Sequence, residues 1–145
     1  MRLATTATLF VAVLGFSTAA WACPDSAAKG EMTWKSLNIE QLKALRQEHA
    51  DQLAVYDVNS KETRSKYGVI PGARLLAASS SYGLEELPAS KDAMLVFYCA
   101  NEHCTASHAA AERAKQAGFA RVYVLAPGIM GWQKAGEPVA SMPQT

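Results

Sequence analysis

The stretch Met94-Leu95-Val96-Phe97-Tyr98-Cys99-Ala100-Asn101-Glu102-His103-Cys104-Thr105-Ala106-Ser107-His108 runs from five apolar residues, through a short polar turn, into an alanine-rich helical pattern. A continuous apolar run of this length, bounded by turn residues, reads as a strand buried on both faces. Such strands belong to parallel sheets whose crossover helices cover both sides. Downstream the same grammar repeats. A helix over about Thr105 to Gln116 places Ala106, Ala109, Ala110, Ala114 and Ala117 at helical spacing, which lets it lie close on a sheet. Gly118 stops it, Val122 to Leu125 forms the next strand, and a last helix from about Ile129 to Lys134 ends at Gly136.

Working upstream, Leu53 to Val58 is a second buried strand ending in Asn59-Ser60, preceded by a helix from the cap Asn38 to Gln47. Lys61 to Tyr67 is polar enough for a short surface helix. Val69-Ile70-Pro71-Gly72-Ala73 turns the chain into a brief strand at Arg74-Leu75-Leu76. Ser79 to Gly83 reads as loop and Leu84 to Leu87 as at most one helical turn. The fold class is α/β, one domain over 33–141, with a mostly parallel central sheet and helices on both faces. Trp132 and Tyr56 are expected in the core.

The 145 residues are 50% hydrophobic, with 14 Lys+Arg against 13 Asp+Glu scattered without a basic run. That balance excludes nucleic acid as an expected partner. Met1-Arg2, the apolar Leu9 to Phe16 and the small-x-small Ala20-Trp21-Ala22 read as a secretory signal peptide, residues 1–22, cleaved after Ala22. The expected location is secreted or periplasmic, with no stable membrane association after cleavage, because the apolar part falls far short of the roughly 20 residues that span a bilayer. Residues 23–32 are read as a flexible N-terminal segment. Lipid attachment at Cys23 is disfavoured because Ala20-Trp21-Ala22 lacks a Leu-like residue three positions before the cysteine.

In an open α/β sheet, ligands bind beyond the carboxyl ends of the strands, which directs attention to Cys99. Backbone N–H groups of the turn, with the following helix N-terminus, favour a thiolate there and lower its pKa, as a sulfur nucleophile requires. The competing reading is a buried, inert cysteine closing an apolar strand. Cys104 stands five residues on. It is either a second thiol able to attack an oxidised or persulfidated Cys99, or a small buried residue at the helix start. Asn101, His103, Thr105, Ser107 and His108 are the polar side chains available to bind a substrate. Asp57, at a strand end, is read equally as a hydrogen-bond acceptor for loop amides or as a turn cap. Cys99, His103, Cys104 and His108 form one cluster on one loop, without the separated Cys-x-x-Cys knuckles of zinc sites, so neither a metal nor another cofactor is expected.

From Leu53 to Val139 the sequence resembles a rhodanese homology domain. The marks are the Asp57-Val58 strand end, the turn Gly68-Val69-Ile70-Pro71-Gly72-Ala73 and the loop opening Tyr98-Cys99. They continue with Ala117-Gly118-Phe119, the Val122 to Leu125 strand, and Pro127-Gly128-Ile129-Met130-Gly131-Trp132 before Ala135-Gly136-Glu137-Pro138-Val139. The resemblance implies a rhodanese-like fold and a sulfurtransferase in which Cys99 carries a persulfide sulfur from a small donor such as thiosulfate to a thiol acceptor. It also implies that the Gly128 region walls the pocket.

Departures from the family pattern bear on function. The usual loop reads Cys-x-x-Gly-x-Arg, but no Arg or Lys follows Cys99 before Arg113, and the loop is about two residues longer. Asn59 and Val69 replace residues that are usually Arg and His. The pattern Tyr-Cys-x-Asn-x-x-Cys-x-Ala-Ser is similar to that of secreted single-domain rhodanese-like proteins with a Cys-x4-Cys loop. Two other functions stay open: a periplasmic thiol/disulfide redox protein using Cys99 and Cys104, and a non-catalytic binding module. Phosphatases and arsenate reductases of the same fold need an Arg six residues after the cysteine to clamp an oxyanion, and Thr105 stands there.

Overall fold

The apolar runs of the sequence become the middle of a five-stranded sheet. A computed structural model describes residues 34–142; the segments 1–22 and 23–32, with Cys23, lie outside the described residues. In chain order the elements are β1 (Lys35–Leu37), α1 (Ile39–Glu48), β2 (Leu53–Asp57), α2 (Lys61–Tyr67), β3 (Arg74–Leu75), β4 (Met94–Tyr98), α3 (Ala106–Gln116), β5 (Arg121–Leu125) and α4 (Gly128–Lys134), with a single 3₁₀ turn at Leu84–Glu86. The sheet order is β1-β5-β4-β2-β3 and every neighbouring pair is parallel. The most apolar strand, β4, therefore takes the centre, with all five residues buried.

Alternation along the strands feeds two cores. Ala54, Tyr56, Leu95, Phe97, Cys99, Val122 and Val124 face α3 and the 76–93 connection, where Ala110, Ala111, Ala114, Leu76 and Tyr82 meet them. Val55, Val96, Tyr98 and Leu125 face Leu42 of α1 and Ile129 and Trp132 of α4. Helices thus cover both faces, and each large apolar side chain buried there contributes about 1.5–3 kcal/mol. Trp132 and Tyr56 lie in the core as expected, their polar tips satisfied by Pro138 O at 2.7 Å and Glu86 O at 3.0 Å.

Four details differ from the sequence reading. Strand β1 has no apolar signature because it is an edge strand in which only Leu37 is buried. On α3 the buried stripe is Ser107, Ala110, Ala111 and Ala114, while Ala109 is exposed, since helical spacing from Ser107 selects positions three, four and seven on. Helix α2 is not simply a surface helix, because Arg64 is buried beneath it. Finally, Tyr98 is wired as well as packed. Its hydroxyl accepts the Ile70 N–H at 2.9 Å and faces the Asp57 carboxylate, and burial pushes its pKa upward. Tyr98→Phe leaves that buried N–H without its acceptor and is expected to cost about 1–3 kcal/mol in urea unfolding.

Candidate active site

Two features aim the end of β4. The pleat sends Tyr98 toward α1 and α4 and Cys99 toward α3, and the chain then turns sharply. In that turn Asn101 folds the loop on itself, its side-chain oxygen accepting the His103 N–H at 3.0 Å and its carbonyl the Cys104 N–H at 3.1 Å. The first residues of α4 brace the loop from below. Ile129 N–H donates to Cys99 O at 2.9 Å and Met130 N–H to Ala100 O at 3.0 Å. Gly128, at φ 60°, permits this approach. A Cβ there would stand 2.5 Å from Cys99 O and 2.6 Å from Ala100 C and O. The Pro127-Gly128-Ile129-Met130 turn thus lies directly against the backbone of the loop.

The two thiols differ in environment. Cys99 is 1% exposed, its thiol donates to Cys104 O at 3.1 Å, and the Ser107 hydroxyl lies 3.2 Å from its sulfur. Burial pushes the Cys99 thiol up to about 11, the Cys104 side chain adds to this, and the Ser107 hydroxyl and N–H pull the other way. Cys104 is half-buried. Burial opposes its ionisation too, but the Cys99 thiol and the backbone N–H groups of Ala100 and Ala106 together carry its pKa below the ordinary cysteine value. The depression expected at Cys99 is found at Cys104. The reason is geometric: the last side chain of a two-faced strand points into the core against a carbonyl, while the loop's N–H groups turn toward the residue at the helix start.

Of the polar candidates, only Ser107, 2% exposed, stands beside the sulfurs. Asn101 shapes the loop and its amide reaches Met130 Sδ at 3.5 Å. His103 is exposed and lies 3.7 Å from the Glu102 carboxylate. Thr105 is exposed and makes no side-chain capping hydrogen bond to α3. His108 lies against Trp34, ring centroids 4.6 Å apart and planes tilted by 31°. Among the described residues no three His, Cys, Asp or Glu side chains gather as metal ligands. A cleft of about 430 Å³, lined by residues such as Leu53, Arg74, Ala93 and Arg121, lies at the opposite, amino ends of the strands.

Asp57 resolves to the turn-cap reading, with a partner that nothing in the sequence pattern announced. Its carboxylate accepts the Asn59 N–H at 2.7 Å, the Asn59 amide at 3.3 Å and Arg64 Nε at 2.9 Å. The guanidinium also reaches Asp57 O at 2.9 Å and Leu76 O at 2.8 Å, tying the carboxyl ends of β2 and β3 together beside Tyr98. Arg64 lies within a polar helix, and only the buried carboxylate seven residues earlier gives it a role.

Residues 38–135 match the rhodanese-like domain family. The chain belongs to that family. Its fold is rhodanese-like, and solved structures agree. A Bacillus halodurans protein is 25% identical over 76% of this chain and 78% of its own, with a TM-score of 0.62. A Rhodopseudomonas palustris protein of unknown function, described as a possible tyrosine phosphatase, is 22% identical over 81% of this chain and 99% of its own, with a TM-score of 0.60. A thiosulfate sulfurtransferase from Pseudomonas aeruginosa is 22% identical over 77% of this rhodanese-like chain and 21% of its own, with a TM-score of 0.60. No curated protein matches the chain.

Proposed function

We propose that this rhodanese-like protein is an extracytoplasmic sulfurtransferase that carries sulfane sulfur as a persulfide on Cys99, with Cys104 as the second thiol of the site. The observation that carries the reading is the gathering of two thiols and the Ser107 hydroxyl at the carboxyl end of the central strand, where this fold class places its reactive residue. A small sulfur donor and a thiol acceptor are the partners. With thiosulfate, the cysteine sulfur displaces sulfite from the outer sulfur, giving a persulfide and free sulfite. The acceptor then takes that outer sulfur and restores the cysteine. Cys104 carries the lower pKa of the two thiols and lies beside Cys99 in the loop, so it is the thiol that ionises more readily.

The expected result is a mass gain of about 32 Da, one sulfur, mapped to the Cys99–Cys104 loop after reduced protein meets thiosulfate or an alkyl persulfide. A mass left unchanged by both donors overturns the reading. The approach of the Cys99 sulfur to the Cys104 backbone, 3.1 Å from its carbonyl oxygen, also favours a second outcome. If the partner thiol attacks the inner sulfur of the persulfide, hydrosulfide leaves and an internal disulfide remains, seen as a loss of about 2 Da with sulfide release.

A further inference from the structure

We propose that Cys104, not Cys99, is the thiol that meets the sulfur donor, and that the sulfane sulfur then passes inward to Cys99. This rests on the sulfur-transfer reading and assigns its order.

Access separates the two sulfurs. Cys99 is 1% exposed, its sulfur lies 3.1 Å from Cys104 O and 3.9 Å from Asn101 O, and Ser107 Oγ covers it at 3.2 Å. Its backbone is held as well, by the Ile129 N–H on its carbonyl and the close passage of Gly128. A donor reaching Cys99 directly would have to displace the loop. Cys104 lies on that loop, half-buried, between the exposed His103 and Thr105. The N–H groups of Ala100 and Ala106 face its sulfur, and donors so placed stabilise a thiolate and then the persulfide anion that follows from it. Family position alone points to Cys99 for this step, so the assignment departs from the simple carry-over.

The steps balance without an outside oxidant. The Cys104 thiolate attacks the outer sulfur of a donor persulfide; a sulfur–sulfur bond forms on Cys104, the donor's own bond breaks, and the donor leaves as a thiolate. Cys99 then attacks the outer sulfur of the Cys104 persulfide. The new bond forms on Cys99, the old one breaks with its electron pair on Cys104, and the Cys99 proton moves to Cys104. The products are a Cys99 persulfide and a free Cys104 thiol, ready for a second donor.

The test uses Cys99→Ser and Cys104→Ser with an alkyl persulfide, following mass gain against time. Serine suits both sites, since at position 99 its hydroxyl can still donate to the Cys104 carbonyl. Cys99→Ser is expected still to load one sulfur, held on Cys104 and passed no further, whereas Cys104→Ser loads at least about tenfold more slowly than the unaltered protein. Wild-type loading by Cys104→Ser overturns the proposal. A measurement on the unaltered protein guards against misfolded variants. Limiting iodoacetamide followed by peptide mapping should label Cys104 before Cys99, and the reverse order overturns the assignment. Failure of the unaltered protein to take sulfur from any donor removes the sulfur-transfer reading instead, while the labelling order still decides which thiol is the accessible nucleophile.

Discussion

Replacing Arg64 with methionine is expected to destabilise the domain by about 3–5 kcal/mol, the cost of stripping one partner from a buried ion pair. The side chains of Arg64 and Asp57 are 7% and 0% exposed, and they meet at 2.9 Å. Methionine keeps the apolar stem but leaves the carboxylate without its cation and the Leu76 carbonyl without the guanidinium donor. Against a total stability of about 5–15 kcal/mol, this is a large share. In urea unfolding the midpoint should fall by roughly 2 M. The effect reaches the site because β2 ends against β4: the Val58 N–H donates to Tyr98 O at 3.0 Å, one residue before Cys99. The double variant Asp57→Asn, Arg64→Met removes both charges and should cost less than the sum of the two single changes. A single Arg64→Met within about 1 kcal/mol of the unaltered protein would sink this account.

That network also marks where reading the sequence runs out. Strands β2, β4 and β5 were legible because a strand buried on both faces must be apolar at nearly every position, and the Asn38 cap of α1 and the glycine stops after α3 and α4 are local chemistry. Strand β1 was not legible, because an edge position asks only for one buried side chain, Leu37. Arg64 was not legible, because a buried cation in a polar heptapeptide is defined by a partner across the fold. The site shows the same division. Its position at the end of β4 followed from fold class, whereas the face that Cys99 shares with Leu95 and Phe97 is given by the packing of α3. Which sulfur meets solvent and which receives the loop's N–H groups depends instead on how Asn101 folds the loop. It depends also on how α4 packs beneath it, and residue spacing encodes neither.

Gly128→Ala is the substitution expected to damage the site most directly. The residue sits at φ 60°, where an L side chain costs about 1–2 kcal/mol. The added Cβ would also meet backbone atoms, Cys99 O at 2.5 Å and Ala100 C and O at 2.6 Å, which no rotamer change can relieve. The loop must therefore lift, weakening the Ile129 and Met130 hydrogen bonds to Cys99 O and Ala100 O, each worth about 0.5–1.5 kcal/mol. A total loss of about 2–5 kcal/mol follows from these terms. Gly136→Ala is the control, because Gly136 has φ 77° but no atom within 4 Å of the added Cβ, so it reports conformational cost without the clash. Lifting the loop should also expose Cys99, so its iodoacetamide labelling should rise at least about tenfold in Gly128→Ala and stay unchanged in Gly136→Ala. If the two alanine variants lose equal stability and Cys99 stays protected in both, the loop is not braced by α4, and the burial that separates Cys99 from Cys104 must come from α3 and Ser107 alone.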